Sequence, residues 1–364
     1  MVERPESYRE ELGGAGANWG EWEGHEVVRD FDDADVEYWQ IRRDGAGWVD
    51  RMERETLVIR GEEAVPWLQG LVTSDLLELR EEGAGQLGCA TDVNGKTVSD
   101  LRVLHLPGML YVDLEPGVLE GGFMMHLNQQ IIMEDVELDD RTDTTGRIGV
   151  YGPDAGAIVE ELGAWEHAIE ELGAFDGTWG SVEGRDVIVQ RRRWTGGPGF
   201  DLSFDRGEAL EVWRALVEEA GDRGVPAGHR ALETARIEAG VPRYGAELDD
   251  EIIPLEAGLR EQVDFEKGCY TGQEVIARLD TLGTPAKKLR TLVFAGGAAP
   301  QLGATVEDEG REVGEVVNAV WSPLVEAPIA LAYVARGSNE IGETVEVEGR
   351  EAAVEELDHP LRRN

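Results

Sequence analysis

The chain is poor in lysine and cysteine, with four lysines and two cysteines among 364 residues. Two cysteines build no disulfide framework, so Cys89 and Cys269 are expected as free thiols, with a single bond between them as the alternative. The six histidines are scattered. No His-x-x-x-His or Cys-x-x-Cys spacing occurs, which argues against a zinc site, and no metal is expected. No run approaches the roughly 18–20 apolar residues of a membrane span. Met1–Leu12 is polar and charged, so a cytoplasmic protein without a signal peptide is expected. Nucleotide and hydrolase motifs are missing as well. Asn94-Gly95-Lys96-Thr97 resembles the end of a P-loop, but Ala90 stands where that loop needs glycine. Gly196–Gly199 lacks the strand-to-helix setting of a phosphate loop, and there is no Gly-x-Ser-x-Gly elbow.

Acid is abundant. Asp and Glu number 75 against 34 Lys and Arg, giving a formal net charge of −41. Such a chain repels phosphate backbones and anionic lipid, so neither nucleic acid nor membrane is expected as a partner. The acid is spread along the sequence, as on a solvated surface. Few lysines and much Asp and Glu over a whole globular chain is the composition of a halophilic protein, one whose self-repulsion is screened by high salt.

The chain reads as α+β. Thr56–Arg60 is a strand pattern, and a helix follows with Pro66 in its first turn. Gln86–Thr91 and Thr97–Leu106 read as paired strands around an Asn94-Gly95 turn. Leu110–Leu114 is a strand, Val118–Gln130 a helix and Val136–Asp139 a return strand. A similar order restarts near Gly146: strand Arg147–Tyr151, helix Pro153–Leu162, strands Asp186–Arg193 and Phe200–Phe204, and helix Glu208–Ala220 stopped by Gly221. Ala231–Ala239 is a helix closed by Gly240. From Lys288 on, short alternating segments (289–294, 304–307, 312–317, 329–334 and 344–347) predict a small barrel or sandwich. The expected domains are 1–145, 146–284 and 285–364, with the last boundary at Gly283-Thr284-Pro285.

Four places carry candidate chemistry. Lys267-Gly268-Cys269-Tyr270-Thr271-Gly272-Gln273-Glu274 joins a scarce lysine to a scarce cysteine. Thr271-x-x-Glu274 has capping-box spacing ahead of the apolar face Val275, Ile276 and Leu279, which would put Cys269 beside a helix N-terminus. Positive charge and the helix dipole would then favour a thiolate; the other reading is a buried cysteine in a tight turn. Asp100 alternates with Val98, Arg102 and Leu104, so it is either a used carboxylate or half of a surface pair with Arg102 or Lys96. Arg236, on a helix, anchors either a carboxylate ligand or a structural salt bridge. Trp194, before a glycine turn, offers a face to a flat ring or fills core.

Lys267–Glu274 resembles the motif of the YgfZ family of folate-binding proteins, paralogues of the glycine-cleavage T-protein, an aminomethyltransferase. Trp67–Asp75, Gly95–Arg102, Trp194–Asp201, Ala235–Gly240, Tyr244-Gly245 and Ile253–Gly258 are similar to stretches of that superfamily. The resemblance runs from about residue 37 to 350. It implies a three-domain T-protein-like fold: two related α+β units and a small C-terminal β-barrel around a central folate channel. It implies tetrahydrofolate, or a one-carbon-substituted folate, as cofactor. Asp100, Trp194 and Arg236 would bind it, with Asp100 also placing it for transfer. Cys269, backed by Lys267, would be the functional thiol. Gly197 replaces the glutamate of the T-protein's Tyr-Thr-Gly-Glu motif, which removes an acceptor for the pterin's N–H edge. The YgfZ resemblance implies a role in assembly or repair of iron–sulfur proteins. The wider one implies an aminomethyl- or methyltransferase with a lipoyl carrier protein as partner, and a third reading is a non-catalytic folate-binding scaffold.

Overall fold

In the computed structural model, which describes residues 3–22, 24–283 and 285–356, the chain divides into two compact units. The first holds the residues up to Gly70, Ser74–Gly88 and Leu101–Glu233; the second holds Leu71–Thr73, Cys89–Asp100 and the chain from Thr234 on. Thr284, inside the expected boundary, lies outside the described residues, as do the first two and last eight positions.

The first unit is built on a seven-stranded sheet. Its order is Ala164–Trp165, Gly177–Val182, Arg185–Arg191, Gly199–Asp205, Thr145–Tyr151, Ala46–Asp50 and Gly224–Pro226. All neighbours are antiparallel except the last pair. Helix Ala209–Ala220 buries Val212, Trp213, Leu216 and Ala220, one face at helical spacing. It ends at Gly221, whose φ of 51° suits a residue without Cβ. Trp213 meets Tyr8 and Trp48 edge-on and stacks on Phe31, so the aromatic-rich N-terminal segment packs into this core.

A five-stranded sheet runs Gly85–Thr91, Thr97–Leu106, Met109–Leu114, Glu55–Arg60 and Glu137–Asp140. The hairpin tip, Cys89–Asp100, is grouped with the second unit. The single helix expected over Val118–Gln130 is broken. A wide turn spans Leu119–Phe123 and an α-helix spans Met124–Gln129, because Gly122 takes φ 117°. Glycine costs about 1 kcal/mol within a helix, so the adjacent Gly121 and Gly122 yield to a local bend.

The Glu55 carboxylate fastens the start of that turn. It accepts from the backbone N–H of Leu119 at 2.6 Å and of Gly117 at 3.0 Å, and Glu55 is only 4% exposed. Burial raises its pKa to about 7 against the pull of those two N–H groups. An unfolded Glu titrates near ~4.3. Between those values the folded chain holds a proton that the unfolded chain has lost, so this group makes stability fall as pH rises toward 7 and adds no slope beyond it. Glu55→Gln is expected to flatten that trend. Thermal melts of both proteins at about pH 5 and about pH 8 check it, and parallel pH dependences would refute it.

In the second unit a closed barrel runs Lys287–Phe294, Ala327–Ala335, Arg311–Ser322, Thr305–Asp308, Thr344–Val347 and Arg350–Glu355. Strand alternation turns Val306, Val345, Val347, Ala352 and Val354 inward. The outward positions include a row of exposed glutamates: Glu312 pairs with Glu307, Glu307 with Glu346, and Glu346 with Glu351. A second core joins Cys89, Ile237, Leu248, Ile252, Leu289, Ile329, Leu331 and Tyr333. With the seven-stranded and five-stranded sheets, the helices and the barrel, the fold is the α+β class that the sequence predicts.

Candidate functional site

The hairpin tip of the second unit is held by local hydrogen bonds. Asp92 accepts from the N–H groups of Asn94 and Lys96, and Gly95 takes φ 74°. Thr97 donates through both N–H and hydroxyl to the carbonyl of Ile252. Asp100 follows on this strand and is 3% exposed. Its carboxylate accepts the Tyr244 N–H at 3.2 Å. Lys96 pairs with Glu251, and Arg102 with Glu115.

Tyr244 belongs to a turn built on Glu247. The Glu247 carboxylate takes both terminal nitrogens of Arg236 at 2.9 and 3.0 Å, the N–H of Arg243 and the amide of Asn318. Tyr333 donates its hydroxyl to the Glu247 carbonyl at 2.8 Å. Arg236 is wholly buried and also donates to the Val241 carbonyl. Arg236 forms a structural salt bridge, with Glu247 among its partners. The Tyr244 phenol has a raised pKa, from burial and from the nearby carboxylates of Asp250, Asp249 and Asp100. Tyr244, Glu247 and Asn318 escape a reading by motif chemistry. The sequence marks only Tyr244-Gly245, as a family-like pair just ahead of the acidic run 247–251. Chemically, the cluster presents a buried acceptor carboxylate and a half-buried phenol.

The Lys267–Glu274 segment departs from its expected geometry. The helix starts at Gln273, with Gly272 as its N-cap at φ 82° and no side-chain cap, so no capping box forms. A Cβ at Gly272 would meet the Asp92 carbonyl at 2.5 Å, and Thr91 donates its hydroxyl to the Thr271 carbonyl at 2.6 Å. That close approach to the hairpin demands glycine and delays the helix. Cys269 thus lies four residues ahead of the first helical residue, outside the first turn, where a dipole effect is felt. It is exposed, which overturns the reading of a buried cysteine, whereas Cys89 is buried, and neither forms a disulfide. Lys267 is 8% exposed; its ammonium donates to the Val72 carbonyl at 2.8 Å and lies 5.1 Å from the Tyr270 ring centroid. Lys267 therefore ties this loop to the segment Leu71–Thr73.

Trp194 belongs to the first unit and is 4% exposed. Guanidinium carbons of Arg102, Arg51 and Arg54 lie 4.4, 5.1 and 5.1 Å from its ring centroid. The expected open face for a flat ligand is occupied by these cations. Beside them lies a buried ion network. Asp113 accepts from Arg54, Arg147 and Arg192, and Arg192 also binds Asp201 at 2.9 Å. Burial pushes the Asp113 carboxyl up, but Arg147, Arg54, Arg192 and Arg102 together hold it well below the usual carboxylate range.

Where the strand Arg185–Arg191 ends, the chain opens a cavity of about 340 Å³ lined by Arg191, Arg192, Arg193, Gly196, Gly197 and Pro198. Among the described residues, no group of His, Cys, Asp and Glu is arranged to hold a metal ion. No described helix is long and apolar enough to cross a membrane.

Residues 8–267 match the family model of the GCVT N-terminal domain, and residues 287–361 match that of the glycine cleavage T-protein C-terminal barrel domain. The sequence is similar to the aminomethyltransferase of Geobacillus kaustophilus, 31% identical over 338 residues that cover 92% of this chain and 91% of that one. It is 30% identical to the aminomethyltransferase of Bacillus licheniformis over 346 residues, covering 93% and 92%. The fold is similar to the crystal structure of glycine cleavage system aminomethyltransferase T from Bartonella henselae, with a TM-score of 0.87 and 20% identity over 98% of both chains.

Proposed function

The chain belongs to the glycine cleavage T-protein family, and from that premise we propose that it is a tetrahydrofolate-dependent one-carbon transferase of the aminomethyltransferase type. The observation that carries the reading is Asp100, a carboxylate 3% exposed on the hairpin strand, beside the turn that bears Tyr244, whose backbone N–H it accepts at 3.2 Å. A carboxylate offers several lone-pair sites to N–H donors. A reduced pterin is rich in N–H donors and fits an acceptor of this kind. Bound folate supplies the nitrogens that carry the one-carbon unit. Asp100 would hold one N–H of that ring system and fix its orientation. Arg236 would act at one remove, by fixing Glu247 and with it the turn that bears Tyr244. An aminomethyl-loaded lipoyl carrier protein is the proposed donor.

The test is turnover. Purified protein is given tetrahydrofolate and the loaded carrier, and methylene-tetrahydrofolate is measured. Asp100→Asn is expected to slow formation by roughly 10²-fold, the loss that misplacing a reacting group by about 1 Å brings. Folate affinity measured by calorimetry should change far less. No product and no heat of binding at millimolar folate would leave only a scaffold and overturn the proposal.

Exposed Cys269 favours a second reading, the YgfZ-type support of iron–sulfur proteins, because a free surface thiol can reach a partner protein. Under that reading Cys269→Ser fails to restore iron–sulfur enzyme activity in a deletion strain. Full restoration counts against it.

A further inference from the structure

The cavity after Arg191 is lined only by hydrogen-bond donors and neutral backbone. Its side chains are three consecutive arginines, two glycines and one proline, with no carboxylate among them. Strand alternation alone would send Arg192 to the opposite side from Arg191 and Arg193. The strand ends at Arg191, however, and the backbone turns through Gly196 at φ 74°, which brings all three to one cavity. Their existing bonds leave charge to spare. Arg191 donates to the Leu172 carbonyl. Arg192 spends Nε on Asp201 and Nη2 on Asp113, while its buried Nη1 has no hydrogen-bond partner among the described residues. Arg193 is exposed and makes no ion pair among the described residues. Burial depresses the Arg192 pKa, and the attraction of Asp113 and Asp201 does not fully offset it.

A buried donor left without an acceptor is destabilising, and more so when it is charged. A pterin edge brings further N–H donors and does not fit here. An oxyanion does, because guanidinium groups bind carboxylate and phosphate through paired N–H groups. We propose that this cavity is an oxyanion-binding site, taking the carboxylate or phosphate group of a small anion, and that Arg192 and Arg193 are its ligands. The strongly negative chain makes the inference specific. With a net charge of −41, adventitious anions are repelled elsewhere, so binding requires a local excess of cation.

Calorimetry without folate tests this independently of the transferase reading. Inorganic phosphate and glutarate are titrated separately into the full chain at constant KCl. Saturable binding of either supports the site, and which one binds identifies the group it takes. Arg193→Ala is expected to weaken binding by about tenfold. Gly197→Glu supplies an internal carboxylate and is expected to abolish it. A Cβ at Gly197 meets only the Thr195 hydroxyl, at 3.8 Å, so this variant should fold. Asp100→Asn should bind as the wild type does. Absence of heat with both anions to about 10 mM, or affinities unchanged in both cavity variants, would overturn the proposal.

Discussion

Asp113→Ala is expected to cost about 3–5 kcal/mol of folding stability, the price of removing one partner from a buried ion pair. The environment places it at the upper end. Asp113 is wholly buried and accepts from Arg54, Arg147 and Arg192, with Arg102 at 3.9 Å. Without it, Glu115 and Asp201 must balance those guanidiniums alone. A domain is stabilised by only about 5–15 kcal/mol, so the loss should be visible as poor expression or a much lower urea midpoint. Asp113→Asn keeps the shape and one acceptor oxygen but not the charge. It should be damaging too, which separates electrostatics from packing. The wild-type pH dependence is tied to the same residue. Its folded pKa lies well below that of an unfolded Asp, near ~3.9. Its contribution is therefore complete above about pH 4 and lost as pH falls through the depressed folded value. Urea titrations followed by tryptophan emission, at fixed KCl, provide the measurement. A change in stability below about 1 kcal/mol for Asp113→Ala would show that the network contributes little.

Much of the fold is legible in the sequence because alternation and turn chemistry act locally. The hairpin around Asn94-Gly95, the helix closed at Gly221 and five barrel strands follow from pattern alone. The sixth strand, Arg350–Glu355, escapes because its inward residues are Ala352 and Val354, and two alanines in six residues dilute the β signal. The helix over 118–130 fails at Gly122, where a backbone angle decides rather than a hydrophobic period. At the candidate site, Asp100 stands out as a charge on an apolar strand face. Its neighbours do not, since Tyr244, Glu247 and Asn318 meet only through long-range folding. The thiol segment teaches the opposite lesson. Thr271-x-x-Glu274 has the spacing of a cap, yet the neighbouring hairpin requires Gly272 to approach closely, and the tertiary contact overrides the local motif. Arg236 and Trp194 were legible as unusual residues but not as to partner, because one arginine looks the same whether it binds a ligand or Glu247.

The melting temperature is expected to rise by on the order of 10 °C between dilute buffer and about 2 M KCl. The barrel shows why. Glu312, Glu307, Glu346 and Glu351 occupy paired positions on four successive strands, all exposed. Adjacent strands lie about 4.8 Å apart. At 0.1 M salt the Debye length is about 10 Å, so each charge feels its neighbours across the row; at 1 M it is about 3 Å, shorter than the strand spacing. Like charges directly opposite one another weaken a sheet. This ladder is therefore tolerable chiefly under high screening, and the net charge of −41 extends the same argument to the whole surface. Glu346→Lys distinguishes screening from a general effect of salt on hydration. It converts two repulsive pairs, with Glu307 and Glu351, into attractive ones. The variant should melt higher than wild type in dilute buffer, and the gap should close in molar KCl. A wild-type melting temperature that does not rise with KCl sinks the prediction. If the gap for Glu346→Lys is the same at both salt levels, the stabilisation does not come from screening this row.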